Sequence, residues 1–306
     1  MTPKKILVTG GSGLIGTSLQ KELPTATFLS SKDFDLTNQC EVKGMFEMCK
    51  PDVVIHLAAK VGGIIDNINH PVNHLDDNLL INTLVLKYAY KCGVTRFLSI
   101  LSGAMYSKDY NGVPFIEDTI YNGSPDESIF SYAMVKRIMA IQIDNYNKEY
   151  GTKYNYLIPC NLYGTNDKID KIIPVIINKV INAKKNEEDS ITLFGDGTPV
   201  RQFIHSKDIA KIIKTVIEND ITESFNIAPN NIVTINDIAN IVLTVADANH
   251  LEIKYDSEKP NGQIRRDIDV TKFNKLIPNY DFISLENGIT ECFGEAINKT
   301  KKENVI

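Results

Sequence analysis

The sequence predicts an α/β protein whose centre is a doubly wound parallel sheet, joined by a smaller α/β substrate domain. Two observations predict this class. Apolar runs without polar alternation, typical of strands covered on both faces, alternate with helical runs over the first half of the chain. After residue 164 this alternation breaks up into shorter pieces. We therefore expect a first, Rossmann-type domain formed by residues 1–164 plus 203–228, and a second formed by residues 165–202 plus 229–306.

The individual elements follow from apolar runs and from helix boundaries. Pro24 and Gly151 each end a helical run, because neither residue continues a helix well. The predicted strands are Lys5–Thr9, Thr27–Leu29, Asp52–Ala58, Arg96–Leu101 and Tyr154–Ile158. The predicted helices are Leu14–Leu23, Glu41–Cys49, Leu79–Cys92, Phe130–Tyr150, Ile172–Ala183, Lys207–Glu218, Ile235–Ala246 and Leu285–Lys299.

Charge and composition argue against several classes of function. The 306 residues carry 33 Lys and Arg against 38 Asp and Glu, without a long like-charge block, so we expect no nucleic-acid partner. No apolar run approaches the roughly 18 residues of a membrane span, and no signal sequence precedes the first strand, so we expect a cytoplasmic protein without membrane contact. The 5 cysteines are scattered and the histidines form no clear cluster with carboxylates, so we expect no metal site.

A glycine-rich turn joins the first predicted strand to the first predicted helix. Gly10, Gly13 and Gly16 take its first, fourth and seventh positions. Glycine permits the tight turn and lets a pyrophosphate approach the backbone, while the helix start offers free N–H groups and a positive dipole end. The pattern predicts a dinucleotide site, although such a turn in isolation also occurs without a ligand.

The tip of the second predicted strand indicates which dinucleotide binds. NAD-binding proteins usually have a carboxylate there, on the ribose 2′-OH. Here the tip reads Ser30-Ser31-Lys32, and its hydroxyls and ammonium suit a 2′-phosphate. We therefore expect NADPH, with Asp33 and Asp35 lying just beyond the tip.

A tyrosine, a lysine and a serine form the candidate catalytic group. Tyr132 and Lys136 lie one helical turn apart on the same helix face, where the ammonium is expected to lower the pKa of the phenol. A second pair with this spacing, Tyr255 and Lys259, lies in a turn-rich stretch that has no helix to hold it. Ser102 follows a predicted strand at the carboxyl edge of the sheet, where its hydroxyl can bond a carbonyl oxygen that gains charge.

Together these motifs resemble the extended short-chain dehydrogenase/reductase superfamily and, within it, the GDP-L-fucose synthase family. Nearly the whole chain takes part, and His56-Leu57-Ala58-Ala59-Lys60-Val61-Gly62-Gly63 is the most family-specific segment. The other matching segments are 10–16, 30–37, 122–123, 132–136, 158–161, 195–203 and 260–263. The resemblance implies NADPH-dependent chemistry on a GDP-linked 4-keto sugar. It also implies a homodimer formed through the predicted helices Leu79–Cys92 and Phe130–Tyr150.

The resemblance also implies the binding residues. For the cofactor these are Gly10, Ser12, Gly13, Leu14, Ile15, Gly16, Ser31, Lys32, Asp35, Leu36, Leu57, Ala58, Ala59, Tyr132, Lys136, Pro159, Asn161 and Leu162. For the substrate they are Ser102, Gly103, Asn161, Lys171, Lys179, Phe194, Arg201, Arg265 and Arg266. Guanidinium groups suit a diphosphate because they donate two parallel hydrogen bonds. For Arg265 and Arg266 a solvated surface pair is an equal alternative for one of the two.

Two positions depart from the family pattern. The family epimerises C3 and C5 of the sugar before reducing C4, with a cysteine two positions after the serine and a histidine three before a proline. This chain has Ala104 and Lys171 there. Alanine carries no proton, and an exposed lysine with a pKa near 10.4 is a poor acid–base partner unless burial lowers its pKa. We therefore expect a dedicated C4-reductase of a GDP-4-keto-6-deoxyhexose or GDP-4-keto-heptose.

Three alternatives stay open or are disfavoured. A bifunctional epimerase-reductase is the first alternative, and an NADP-binding sensor or scaffold is the second. A sugar-nucleotide 4,6-dehydratase would need an Asp-Glu pair directly after the serine, where this chain has Gly103 and Ala104. His56 in its apolar strand and Cys160 beside Asn161 are expected to be packing residues.

Overall fold

A computed structural model describes residues 4–303, apart from Tyr110, Val113, Ile169 and residues 260–262. Its strands are β1 (Ile6–Thr9), β2 (Thr27–Leu29), β3 (Val53–His56), β4 (Arg96–Ile100), β5 (Tyr154–Pro159), β6 (Asn161–Tyr163), β7 (Ser190–Phe194), β8 (Val200–Arg201), β9 (Phe203–His205), β10 (Phe225–Ile227), β11 (Val233–Thr234), β12 (Glu252–Asp256) and β13 (Arg265–Arg266). Its helices are α1 (Leu14–Glu22), α2 (Gln39–Cys49), α3 (Ile64–Asn69), α4 (Pro71–Lys91), α5 (Phe130–Tyr150), α6 (Ile172–Asn186), α7 (Ser206–Glu218), α8 (Ile235–Val245), α9 (Thr271–Leu276) and α10 (Leu285–Glu303). The family-like positions 260–262 lie outside the described residues.

The centre is a six-stranded sheet with the order β10-β5-β4-β3-β1-β2. Its paired strands run parallel. β2 lies on one side of β1 and the later strands on the other, so the direction of winding reverses next to β1. Ligands of doubly wound sheets bind at the carboxyl ends of the strands at such a reversal. The predicted fold class is confirmed.

Helices cover both faces of this sheet and bury its apolar strands. On one face α4 packs against α2 and α5, around a core that includes Val54, Leu86 and Met139. On the other face α1 packs against α7, around Leu19 and Ile212. Burial on both sides explains why the strands read as continuous apolar runs.

A separate apolar cluster lies around α6, α8 and α10. It includes Ile176, Val180, Leu193, Val242 and Ile289, which come from the second half of the chain. Short sheets accompany it, namely β7 with β12, β8 with β11 and β13, and β6 with β9. The division into two domains at the stated residues stays a prediction.

The structure adds elements that the sequence patterns did not predict. α4 begins at Pro71 instead of Leu79, since proline suits the first helical turn and its early turns bury the polar His74 and Asn78. The short β7 and β12 strands pair with each other although the paired residues lie 62 positions apart, and neither strand has a long apolar run. In contrast, helix α5 has the bounds that the sequence predicts, Phe130–Tyr150, and Gly151 ends it in a left-handed conformation with φ of 67°.

Candidate active site

The glycine-rich turn lies between β1 and α1, against the segment that follows β3. Gly10 has a φ of 74°, and a Cβ there would come within 2.7 Å of the Ala58 nitrogen. A Cβ on Gly16 would come within 2.5 Å of the Gly10 carbonyl oxygen. Gly13 precedes α1 without a side-chain cap, so the first N–H groups of the helix stay available for an anion. The turn is therefore shaped for close approach of a phosphate to its backbone.

The other predicted cofactor residues surround the same crevice. Leu57, Ala58 and Ala59 follow β3, Pro159 ends β5, and Asn161 and Leu162 open β6. Ser12 is exposed at the turn, whereas the Ile15 side chain is buried in the core under α1. Leu36 is half-buried and packs against the core on the α4 side. The residues that follow β3 and β5 lie at the carboxyl edge of the sheet. The side chains of Ile15 and Leu36 instead pack into the cores beside it.

The acidic residues beyond the tip of β2 are held by local hydrogen bonds. The Asp33 carboxylate accepts from the Ser30 N–H and hydroxyl, both at 2.8 Å. The Asp35 carboxylate accepts from the Thr37 N–H at 2.9 Å and hydroxyl at 2.7 Å. These bonds lower the pKa of both carboxyls, while the side chains of Ser31 and Lys32 stay exposed. The carboxylates are thus engaged within their own turns.

The structure brings Ser102, Tyr132 and Lys136 together beside the end of β4. Lys136 is buried on α5, and its Nζ donates to the Ile100 carbonyl at 2.7 Å. The same Nζ lies 5.7 Å from the centre of the Tyr132 ring. The Ser102 hydroxyl lies close enough to the Tyr132 phenol to influence its pKa. The helix that carries Tyr132 and Lys136 therefore packs beside the end of β4, which Ser102 follows.

The pKa of Tyr132 differs from the expectation. Burial raises it to about 12, and this outweighs the opposing effects of the Ser102 hydroxyl and of the Arg266 charge. The sequence-based prediction of a lowered phenol pKa is wrong for this structure. Burial also lowers the pKa of Lys136 to about 8. At neutral pH the phenol is protonated and the ammonium is charged.

The turn after Ser102 carries the alanine that replaces the family's cysteine. Residues Gly103–Met105 form a 3₁₀ turn, in which the Ala104 N–H donates to the Ser102 hydroxyl oxygen at 3.2 Å. Ala104 is buried, and a Cβ on Gly103 would lie 3.4 Å from the Pro159 carbonyl oxygen. Ser102 thus accepts from the backbone and keeps its own proton for another partner.

Two of the predicted arginines lie side by side on paired strands. Arg201 on β8 pairs in register with Arg266 on β13. Arg266 donates to the Asn161 side-chain oxygen at 2.9 Å, and Arg201 donates to the Val200 carbonyl at 2.8 Å and to the Gln263 carbonyl. Burial, and then the Arg266 charge, lower the pKa of Arg201 to about 10. Adjacent cations of this kind favour an anion between them.

Two further pairs of predicted substrate residues are Arg265 with Arg266, and Lys179 with Phe194. Arg265 is exposed and bonds Asp267 at 2.7 Å, whereas burial lowers the pKa of Arg266. The surface alternative therefore fits Arg265 and does not fit Arg266. Lys179 on α6 places its Nζ 5.8 Å from the ring centre of the exposed Phe194. That contact leaves one ring face and one cation at the surface between α6 and β7.

Lys171 is not the exposed lysine that the sequence suggests. Its Nζ donates to the Gly62 carbonyl at 3.2 Å, and burial lowers its pKa. In the same loop the Asp170 carboxylate accepts from the Gly63 N–H at 2.5 Å, and Lys168 donates to the Val61 carbonyl. This loop is thereby fastened to the family-specific glycine segment, which only the folded chain reveals.

Two residues expected to be packing residues have surroundings of that kind. His56 bonds the Thr9 hydroxyl at 2.8 Å and the Asn82 side chain at 3.1 Å, and burial lowers its pKa to about 4. Burial raises the pKa of the Cys160 thiol.

Among residues 4–303 as described, no cluster of three His, Cys, Asp or Glu side chains is arranged to hold a metal. In the described part of the chain, no helix is both long and apolar enough to span a bilayer.

Comparison with known proteins places these features in a family. Residues 6–228 match the "NAD dependent epimerase/dehydratase family". A "Probable GDP-L-fucose synthase" of Drosophila melanogaster is 34% identical, over 94% of this chain and 95% of the relative. A crystal structure of a GDP-L-fucose synthetase from Naegleria fowleri bound to NADP is 26% identical, with a TM-score of 0.88 over 98% of this chain and 96% of that one. A GDP-mannoheptose C4 reductase from Campylobacter jejuni shares the fold, with a TM-score of 0.86 over 97% of this chain and 99% of that one, at 24% identity. The chain belongs to the NAD dependent epimerase/dehydratase family.

Proposed function

We propose that the protein is an NADPH-dependent C4-reductase of a GDP-linked 4-keto sugar, either a 4-keto-6-deoxyhexose or a 4-keto-heptose, without 3,5-epimerase activity. The observation that carries this proposal is the grouping of Ser102, Tyr132 and Lys136 at the sheet edge, with Ala104 in the turn that follows the serine. This grouping supplies what a ketone reduction needs. It lacks a proton carrier at one of the two positions that epimerisation uses in the family.

The residues present fit a dinucleotide with a 2′-phosphate. The turn packs so closely against neighbouring backbone that Gly10 and Gly16 have no room for a Cβ, and the uncapped start of α1 leaves its first N–H groups available for a phosphate. Ser31 and Lys32 are exposed at the β2 tip, where they would hold the 2′-phosphate. The NADP in the related Naegleria fowleri structure supports this choice. When bound, NADPH supplies the hydride that adds to C4 of the sugar.

Tyr132 is the proton donor in this proposal. Its raised pKa keeps the phenol protonated at neutral pH, so it enters the reaction as an acid. As C4 gains hydride, the carbonyl oxygen gains negative charge and takes the Tyr132 proton to become a hydroxyl. The Ser102 hydroxyl oxygen accepts from the Ala104 N–H, and in this proposal its own proton is donated as a hydrogen bond to the same carbonyl oxygen of the sugar. The phenolate left behind is stabilised by the Lys136 ammonium and regains a proton from solvent.

The diphosphate of the sugar nucleotide has its partners on β8 and β13. Arg201 and Arg266 present two neighbouring guanidinium groups, and an anion between them relieves their mutual repulsion. Lys179 and Phe194 offer a cation and an exposed ring face for the nucleoside end. The names of the relatives support a GDP-linked sugar, since the Drosophila melanogaster protein is called a probable GDP-L-fucose synthase.

The case against epimerisation rests on two side chains. Ala104 has no ionisable group, and the Lys171 ammonium donates to the Gly62 carbonyl, although burial lowers its pKa. A bifunctional epimerase-reductase is the second candidate, and Asp167 favours it: burial raises the pKa of this carboxyl to about 6, in the same loop as Lys171. A carboxyl with that pKa exchanges protons near neutrality.

The two candidates differ in isotope incorporation. GDP-4-keto-6-deoxymannose is incubated with enzyme and NADPH in D₂O, and products are analysed by mass spectrometry and NMR. We expect NADPH oxidation and a C4 alcohol, with no deuterium at C3 or C5 above an enzyme-free control. Deuterium there, or GDP-L-fucose as product, would establish the bifunctional candidate. Absence of NADPH oxidation with this hexose and with GDP-4-keto-heptoses would refute the reductase itself and leave the sensor alternative.

We also propose that the protein forms a homodimer through α4 and α5. Large apolar side chains are exposed on both helices, including Leu80 and Tyr90 on α4 and Phe130 and Ile141 on α5. Light scattering after gel filtration is expected to give twice the chain mass, and Ile141→Lys is expected to give the single-chain mass. A monomeric wild type would refute this proposal.

A further inference from the structure

Arg137 holds two loop segments against the helix that carries the candidate catalytic residues. It follows Lys136 on α5 and is 6% exposed. Its Nε donates to the Met105 carbonyl at 2.6 Å, one terminal nitrogen donates to the Gly123 carbonyl at 2.8 Å, and the other donates to the Asn122 carbonyl at 3.1 Å. A planar guanidinium donates in fixed directions, so these three carbonyls are fixed relative to one another and to α5.

One of these carbonyls belongs to the turn that orients Ser102. The Met105 N–H donates to the Ser102 carbonyl at 3.1 Å, and the Ala104 N–H donates to the Ser102 hydroxyl oxygen at 3.2 Å. The turn therefore fixes both the backbone and the hydroxyl of the serine. Arg137 fixes the turn by its last carbonyl.

We infer that Arg137 is a positioning residue that sets Ser102 against Tyr132 and Lys136. The serine comes from the sheet edge and the other two side chains come from α5, so their distances depend on how firmly the 103–105 turn is attached to that helix. Arg137 makes the attachment from the same helix. The expected effect of Arg137 on kcat rests on the proposed reductase function. Its expected effect on the order of the 103–105 turn does not.

The segment that follows the 103–105 turn is attached to the strands that carry the paired arginines. The Gln263 side chain donates to the Ser107 carbonyl at 3.0 Å and to the Lys108 carbonyl at 3.3 Å. The Gln263 carbonyl in turn accepts from Arg201. The segment after Ser102 is thus held between α5 and the strands that carry the paired arginines.

Arg96 provides a matched control for the loss of a buried arginine. It is 4% exposed, and it donates to the Lys153 carbonyl at 2.8 Å and the Ile221 carbonyl at 2.6 Å. It opens β4, whereas Ser102 follows the other end of that strand. Arg96→Met removes two hydrogen bonds to backbone carbonyls and an ion pair with Asp220 at 3.2 Å, without touching the 103–105 turn.

The structural test is hydrogen–deuterium exchange, which needs no substrate. Arg137→Met is expected to speed exchange of the Ala104, Met105 and Tyr106 amides at least about tenfold, because their bonds lie within the released turn. Arg96→Met is expected to leave these amides unchanged. Arg137→Lys is included because a retained cation favours folding, and it is expected to give an intermediate rate. Unchanged exchange in both Arg137 variants would overturn the inference, whatever reaction the protein catalyses.

The kinetic test asks whether Arg137 acts through Ser102. With wild-type Ser102, Arg137→Met is expected to lower kcat by about 10-fold to 100-fold with little change in the Kd of NADPH. In a Ser102→Ala background the same change is expected to lower kcat less than about twofold further, because the positioned hydroxyl is already gone. Arg96→Met is expected to keep kcat near wild type below its melting temperature. Equal losses in the two backgrounds, or an equal loss from Arg96→Met, would show a general structural effect and overturn the inference.

Discussion

The charge of Lys136 is expected to set the pH dependence of the reaction. Burial lowers the pKa of this ammonium to about 8, so it is charged below pH 8 and neutral above. The charged fraction is about nine-tenths at pH 7 and about one-tenth at pH 9. Tyr132, with a pKa of about 12, stays protonated throughout this range. Of these two side chains, only Lys136 should therefore titrate between pH 7 and pH 9.

The size of the effect follows from the geometry. The Lys136 Nζ lies 5.7 Å from the centre of the ring on which phenolate charge develops. At an effective dielectric constant of about 20, unit charges at that distance attract by about 3 kcal/mol. This corresponds to a rate factor of about 100, so the neutral form contributes little to turnover. The observed rate is then expected to follow the charged fraction and to fall about ninefold from pH 7 to pH 9.

The assay measures kcat/KM for the keto sugar at saturating NADPH, because this ratio contains the proton-transfer step and reports ionisations of the enzyme before the sugar binds. Lys136→Arg is the control, since a guanidinium stays charged over the whole range. We expect its profile to be slower but flat to pH 9.5. A wild-type profile that is flat or rising above pH 8 would refute the reasoning. A parallel fall in Lys136→Arg would assign the ionisation to another group.

Three further predictions concern the acid, the cofactor and the glycine turn. Tyr132→Phe is expected to lose at least about a hundredfold in kcat while binding NADPH normally, and near-wild-type turnover would contradict its role as the acid. Replacing Ser31 by Asp and Lys32 by Ala is expected to weaken NADPH relative to NADH, since a carboxylate repels the 2′-phosphate; equal use of both cofactors by the wild type would contradict this reading. Gly16→Ala puts a Cβ 2.5 Å from a carbonyl oxygen of the turn, and we expect it to weaken NADPH binding at least about tenfold in a fluorescence titration. Gly44 has open space around it, so Gly44→Ala is the control and is expected to leave NADPH binding unchanged. Equal affinities in these two glycine variants would show that the turn does not hold the phosphates.

Local patterns determined the features whose geometry is set within a few residues. Helical pitch places Tyr132 and Lys136 on one face, and α5 has the predicted bounds because Gly151 ends it. The spacing of Gly10, Gly13 and Gly16 predicts the turn because the absence of a Cβ is a local property. Apolar runs without alternation predicted the parallel sheet, since strands buried on both faces need no polar residues.

Tertiary structure alone decided the features that depend on burial and on distant partners. The pKa of Tyr132 moved opposite to its prediction because desolvation depends on everything packed around the phenol. Lys171 appeared exposed in the sequence, but its ammonium bonds the carbonyl of Gly62, a residue more than a hundred positions earlier. Arg137 carries no sequence signal, because its role depends on three backbone carbonyls that any residue could supply. The sequence identified the candidate catalytic side chains. The pKa of Tyr132 and the hydrogen bonds of Lys171 and Arg137 depend on residues that only the folded chain brings together.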